Sequence, residues 1–107
     1  MANDKEHITF GEQLRELREK AGLTLREVAS NIEIDPSLLA KIERNQRQPT
    51  KRLIKNIADF FKVNERKLLE EFLSDQIAFK ILEENVDSTI LRVAENKVAY
   101  IKTLQSE

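Results

Sequence analysis

Residues 24–50, TLREVASNIEIDPSLLAKIERNQRQPT, decide the fold. Thr24 followed by Glu27 has the spacing of a capping box, in which hydroxyl and carboxylate each satisfy a free amide at a helix start. A short helix after Thr24 then offers Leu25, Val28, Ala29 and Ile32 to a core. Asp35 before Pro36 marks another start, because proline's missing N–H costs nothing at the first helical position. From Pro36 the pattern turns Leu38, Leu39 and Ile42 inward and leaves Ser37, Ala40, Lys41 and Arg44 on a small, polar face. Only Glu33, Ile34 and Asp35 join the two helices, and so short a connection makes them cross steeply. Such a crossing needs a small residue at the contact, which Ala29 supplies. Ile34 plugs the corner from below, while Leu39 and Ile42 pack back on the preceding helix.

Working outward, Thr9 and Glu12 have the same capping-box spacing. Phe10, Leu14, Leu17 and Ala21 share a face, so a first helix is expected from Phe10 to Ala21, stopped by Gly22. Downstream, NQRQPT (45–50) breaks the period: Pro49 biases Gln48 away from helix, and Thr50 is placed to cap a fourth helix. That helix holds Leu53, Ile54, Ile57, Ala58, Phe60 and Phe61. Asn64 caps a fifth, carrying Leu68, Leu69, Phe72, Leu73 and Ile77, with no breaker before Asn85. Ile90, Val93, Ala94, Val98, Ile101 and Leu104 keep helical spacing, so a sixth helix is expected. The β-branched content there leaves a hairpin around Glu95 and Asn96 as the alternative for residues 88–104.

Composition agrees with an all-α protein: the 107 residues include only two Gly and two Pro. The absence of cysteine removes disulfides, thiolate metal sites and cysteine nucleophiles. No apolar run reaches the roughly 20 residues of a membrane span, and MANDKEHITF lacks the apolar core of a secretion signal, so a cytoplasmic location is expected. The formal net charge of -1 hides an uneven distribution: residues 41–63 carry 7 Lys/Arg against 2 Asp/Glu, while the flanking segments are acidic. A basic centre between acidic arms orients a molecule on a polyanion. The organisation expected is a flexible tail over 1–8, one main domain over 9–70 and a helical extension over 71–107.

The two-helix corner is a helix-turn-helix unit, whose second helix projects its N-terminal residues outward; an α-helix of this kind fits the major groove of B-form DNA. From Gly22 to Asn64 the stretch GLTLREVASNIEIDPSLLAKIERNQRQPTKRLIKNIADFFKVN resembles the Cro and lambdoid phage repressor type of helix-turn-helix regulator, the xenobiotic-response-element family, which includes restriction-modification controllers. The order Leu23-Thr24, Ala29, Ile34, Leu39, Ile42-Glu43, Pro49-Thr50 carries the likeness. The resemblance implies a five-helix domain that binds double-stranded DNA as a dimer. It puts Pro36, Ser37, Ala40 and Lys41 opposite base edges and Thr24, Arg44, Gln46, Arg47 and Thr50 at or near the phosphates. It also implies an ion pair of Arg18 with Glu43 as a brace. Three positions depart from the family: Leu25 replaces a phosphate-touching Gln, and Glu33 and Asn45 replace glycines at positive φ.

Each candidate has a plainer role. A lysine on an exposed helix face is ordinarily just solvated, and a serine in a first turn often only satisfies free amides. Among Arg44, Arg47, Lys51, Arg52 and Lys55, some serve phosphates and others pair with nearby acids. His7, the only histidine, is read as solvated. Glu70 with Glu71 and Glu83 with Glu84 lack a nucleophile or Gly-rich loop, so no catalytic, metal or cofactor site is expected. Phe72, Ile77, Phe79, Ile81, Val98 and Ile101 exceed what one core face holds and are read as shared between core and dimer interface. The rival to a DNA-binding regulator is a protein-interaction module, such as an antitoxin-like partner of a toxin, using the acidic, apolar-striped extension.

Overall fold

The computed structural model describes residues 8–106; the segment ahead of Ile8, including His7 and nearly all of the expected tail, lies outside the described residues. Six helices and no strand occur among them: α1 (Phe10–Lys20), α2 (Leu25–Asn31), α3 (Pro36–Glu43), α4 (Lys51–Phe61), α5 (Glu65–Glu83) and α6 (Ser88–Gln105). By internal contacts the chain divides into two compact units, one ending at Asp75 and the other starting at Gln76.

In the first unit, Leu14, Val28, Ala29, Leu39, Ile54 and Ile57 are fully buried at the centre, and Leu68 of α5 closes the core. Ile34 packs against this cluster from the turn, and its amide donates to the Ala29 carbonyl at 3.0 Å, which fixes the corner between α2 and α3. Ala21 departs from the expected apolar face: it is exposed and forms the C-cap, so α1 ends at Lys20.

Helix starts follow local chemistry. Thr9 and Thr24 form complete capping boxes with Glu12 and Glu27, and Asp35, Thr50 and Asp87 cap α3, α4 and α6. Asn64 accepts the Lys67 amide at 3.0 Å to start α5. The ends of α1 to α5 share one device, a left-handed residue followed by an amide that reaches back five positions. Gly22, Glu33, Asn45, Lys62 and Asn85 adopt φ between 52° and 69°, and the next amides, from Leu23 to Val86, bond Arg18, Ala29, Lys41, Ala58 and Ile81 carbonyls.

The alternative of a hairpin over 88–104 is overturned: Ser88–Gln105 is one helix. Asn85 turns the chain and Asp87 accepts the Ile90 amide at 2.9 Å. No breaker interrupts the helix after that cap, and alanines and charged helix formers separate its β-branched residues.

Candidate nucleic-acid interface

The start of α3 is built by Asp35, whose Oδ1 accepts from the Ser37 amide at 2.8 Å and from the Ser37 hydroxyl at 2.7 Å. The Ser37 hydroxyl, then its amide, holds the Asp35 carboxyl below the ordinary carboxylate range, with Lys41 adding to the effect. Asp35 is therefore ionised at neutral pH, and Ser37, its proton committed, faces outward as an acceptor. Pro36, Ser37 and Lys41 are exposed, whereas Ala40 is half-buried.

Ala40 is drawn in by an open cleft of about 180 Å³ that also involves Arg15, Arg18, Leu25, Glu43 and Arg44. The cleft brings Arg15 of α1 to the face of α3, a neighbour that reading α3 alone misses. Its side chain pairs with Glu19 at 3.3 Å, yet both groups stay more than half exposed, so the pair is weak and Arg15 is available to an anion. A helical stripe on α1 that includes position 15 is the available signal, but its meaning depends on how α1 lies against α3.

At the far end of α3, Arg44 is the exposed C-cap, where a cation also meets the negative end of the helix dipole. Gln46 and Arg47 follow on the exposed loop, and Thr50 opens α4. Thr50 Oγ1 accepts the Leu53 amide at 3.1 Å, and with no acid at the third helical position its hydroxyl proton is free to donate outward. Thr24 differs. Its amide and hydroxyl hold the Glu27 carboxyl below the usual range, so an ionised acid sits beside the position expected to meet a phosphate. That neighbour makes Thr24 the less favourable of the two threonines for a polyanion.

Beneath this surface, Arg18 Nε donates to Glu43 Oε2 at 2.7 Å and Nη2 donates to Oε1 at 3.0 Å. Nη1 adds a bond to the Leu23 carbonyl at 3.0 Å. The bonds to Glu43 raise the Arg18 pKa against a smaller opposing effect of burial. With both side chains largely buried, the guanidinium ties α1, the chain entering α2 and the end of α3.

The pair also shapes the field outside. Of the two acids in the basic stretch, Glu43 is neutralised inside, and Asp59 bonds Lys55 at 3.3 Å. Lys41, Arg44, Arg47, Lys51 and Arg52 form no ion pair among the described residues. The later part of α3, the loop after it and the start of α4 therefore carry cations suited to the phosphates either side of a groove, while the tip of α3 carries the ionised Asp35. No group of acids and histidines suited to a metal ion occurs among the described residues, and none of their helices is long and apolar enough to cross a membrane.

The expected pairing residues divide. Phe72 is half-buried in the first unit, its ring 5.9 Å from Phe10 in an edge-to-face contact. Ile77, Phe79, Val98 and Ile101 are exposed and Ile81 is half-buried.

Known proteins agree with this geometry. The family model described as a helix-turn-helix domain matches residues 9–72. The HTH-type transcriptional regulator DdrOP3 of Deinococcus deserti is 35% identical over 69 residues, 63% of this chain and 54% of its own length, so the match spans about half of that relative. The restriction-modification controller protein C.AhdI of Aeromonas hydrophila has 34% identity and a TM-score of 0.52, covering 55% of this chain and 89% of its own. The clp gene regulator ClgR of Corynebacterium glutamicum has 25% identity and a TM-score of 0.54, covering 82% and 88%. With the braced corner, the exposed α3 and the cationic rim, these place the chain: it belongs to the helix-turn-helix family, in its repressor and Cro type.

Proposed function

We propose that this chain is a sequence-specific, cytoplasmic transcriptional regulator that works as a homodimer, setting its two α3 helices into successive major grooves of a palindromic operator. It acts by binding, not by catalysis, and needs no cofactor. The observation that carries the reading is the exposed leading face of α3 bordered by cations without acidic partners. In this reading residues 9–70 hold the DNA and 71–107 pair the subunits. Pro36, Ser37, Ala40 and Lys41 meet bases; Arg44, Gln46, Arg47 and Thr50, with Thr24 in a lesser part, meet the backbone. Selection of bound duplexes from a random pool is expected to enrich an inverted repeat with half-site centres about 34 Å apart. Enrichment of no motif would contradict the reading.

A second reading, a module that binds another protein through the extension, is favoured by one feature: α6 buries none of its residues. Salt-dependent retention on heparin supports the first reading. A stoichiometric protein complex from a chain without DNA affinity supports the second.

A further inference from the structure

The second unit holds a groove of about 450 Å³ between the end of α5 and the first half of α6, with Ile77, Ile81, Val86, Ile90, Leu91 and Ala94 in its walls. Its volume is about three times the ~150 Å³ that accepts a benzene-sized group. At 3.6 residues per turn, Ile90, Ala94, Ile101 and Leu104 fall in one row on α6. Leu91 and Val98 lie on one flank of that row and Val93 and Tyr100 on the other, so apolar residues cover about half the helix circumference. The groove uses this arc only as far as Ala94. Beyond it Val98, Ile101 and Leu104 continue the same arc for about 15 Å and are 53%, 47% and 51% exposed. One molecule thus carries an apolar socket and, one helical segment later, an apolar plug that its own socket does not use.

The charges say what fits. Residues 76–106 contain four basic and four acidic side chains, so the unit repels neither itself nor its like. Around the turn Glu83, Glu84 and Asp87 outnumber Lys80 and Arg92, whereas on the far half of α6 Lys97 and Lys102 outnumber Glu95. Two copies laid antiparallel bring the lysines of each towards the turn acids of the other; laid parallel, they set like on like. A uniformly acidic or basic partner matches only one of these ends.

We propose that two copies of this chain exchange the C-terminal halves of α6: Val98, Ile101 and Leu104 of each fill the socket of the other, with the two α6 helices antiparallel. This rests on the homodimer reading and names the surface and its occupant. It also explains how an 18-residue helix without a buried side chain is held, since helices that lack tertiary packing are only marginally stable in water.

Because the chain contains no cysteine, single introduced cysteines report contacts without background. Full-length Leu91→Cys and Ile101→Cys chains are mixed under mild oxidation, and the mass of the unmodified chain is measured by light scattering. The expected result is a dimeric unmodified chain, a disulfide dimer from the mixture and none from either variant alone. Ile101→Glu is expected to run as a monomer whose helical circular dichroism falls by no more than the share of α6, the helices of the first unit being kept. A monomeric unmodified chain overturns the homodimer reading and this inference together. A dimer in which each cysteine variant links to itself, or one that survives Ile101→Glu without any linkage, overturns the α6 exchange and leaves the homodimer reading standing.

Discussion

Asp75 Oδ2 accepts the backbone amide of Phe10 at 2.7 Å, joining the middle of α5 to the first residue of α1 across 65 positions of sequence. The neighbouring free amides are taken from other directions: Gly11 donates to Asn45 Oδ1 at 3.3 Å and Glu12 to Thr9 Oγ1 at 3.2 Å. Asn45 Nδ2 also donates to Thr9 Oγ1 at 2.9 Å, so the loop after α3 is tied to the same turn. A Cβ on Gly11 would stand 2.5 Å from the Ile42 carbonyl oxygen and 2.6 Å from that of Glu43. The start of α1 is thus held by α5 on one side and by the loop after α3 on the other, which fixes the end of the helix that faces outward.

Removing the acceptor tests that node. Asp75→Ala leaves the Phe10 amide without its partner and is expected to cost about 1–3 kcal/mol in urea unfolding, with Asp75→Asn costing less. Gly11→Ala drives a methyl group into backbone carbonyls and is expected to cost at least as much. Unchanged midpoints in both variants would refute the node.

Arg18→Ala strands the Glu43 carboxylate in a largely buried place. Loss of one partner of such a pair costs about 3–5 kcal/mol, so unfolding moves to markedly lower denaturant. The relative affinities for different operator sequences stay as they were, because neither side chain belongs to the exposed face of α3. A variant of native stability would contradict the brace.

Glu33 and Lys62 hold φ of 58° and 57°, a conformation that strains any residue with a Cβ. Glu33→Gly and Lys62→Gly are therefore each expected to stabilise by up to about 1 kcal/mol, read by thermal or urea melts. Destabilisation by both would show that these side chains hold the turn by contacts of their own.

Glu12, Glu27 and Asp35 all have their carboxyls held below the ordinary range by cap hydrogen bonds, backbone amides leading for the two glutamates and the Ser37 hydroxyl for Asp35. A group that binds its proton more weakly when folded stabilises fully above its unfolded pKa, about 4 for a carboxylate. That contribution is lost as pH falls through the lower folded value. Melting temperature is accordingly expected to decline from about pH 4 downward. Glu12→Gln with Glu27→Gln should flatten the profile while lowering its neutral plateau; an unaltered slope would contradict the role of the boxes.

How far the fold is legible depends on the range of each interaction. Thr9, Thr24, Asp35, Thr50 and Asp87 bond amides two or three residues on, so their spacing alone marks the helix starts. Helix ends are harder to read. Gly22 announces itself and Asn85 stands out as a breaker, Glu33 and Asn45 are recognisable only through the family resemblance, and Lys62 gives no sign. At Lys62 the Val63 amide bonds the Ala58 carbonyl and imposes the left-handed turn whatever side chain stands there. Nothing local links Asp75 to Phe10, or turns Ala40 towards Arg15, since both depend on where α1 settles. The outward face of α3 is legible because its apolar residues share the opposite side; the charge balance of its rim is not, because Glu43 disappears inward to Arg18.

The most direct test of the DNA-reading surface is the affinity of Lys41→Ala and Arg47→Ala for a selected operator at low salt, beside the unmodified chain. Lys41→Ala is expected to lose about 1–3 kcal/mol of binding through its lost base contact. Arg47→Ala is expected to weaken binding to all duplexes and to reduce the log-log salt slope by about 0.9. If both folded variants bind with the affinity of the unmodified chain, α3 and the loop after it are not the surface that meets DNA.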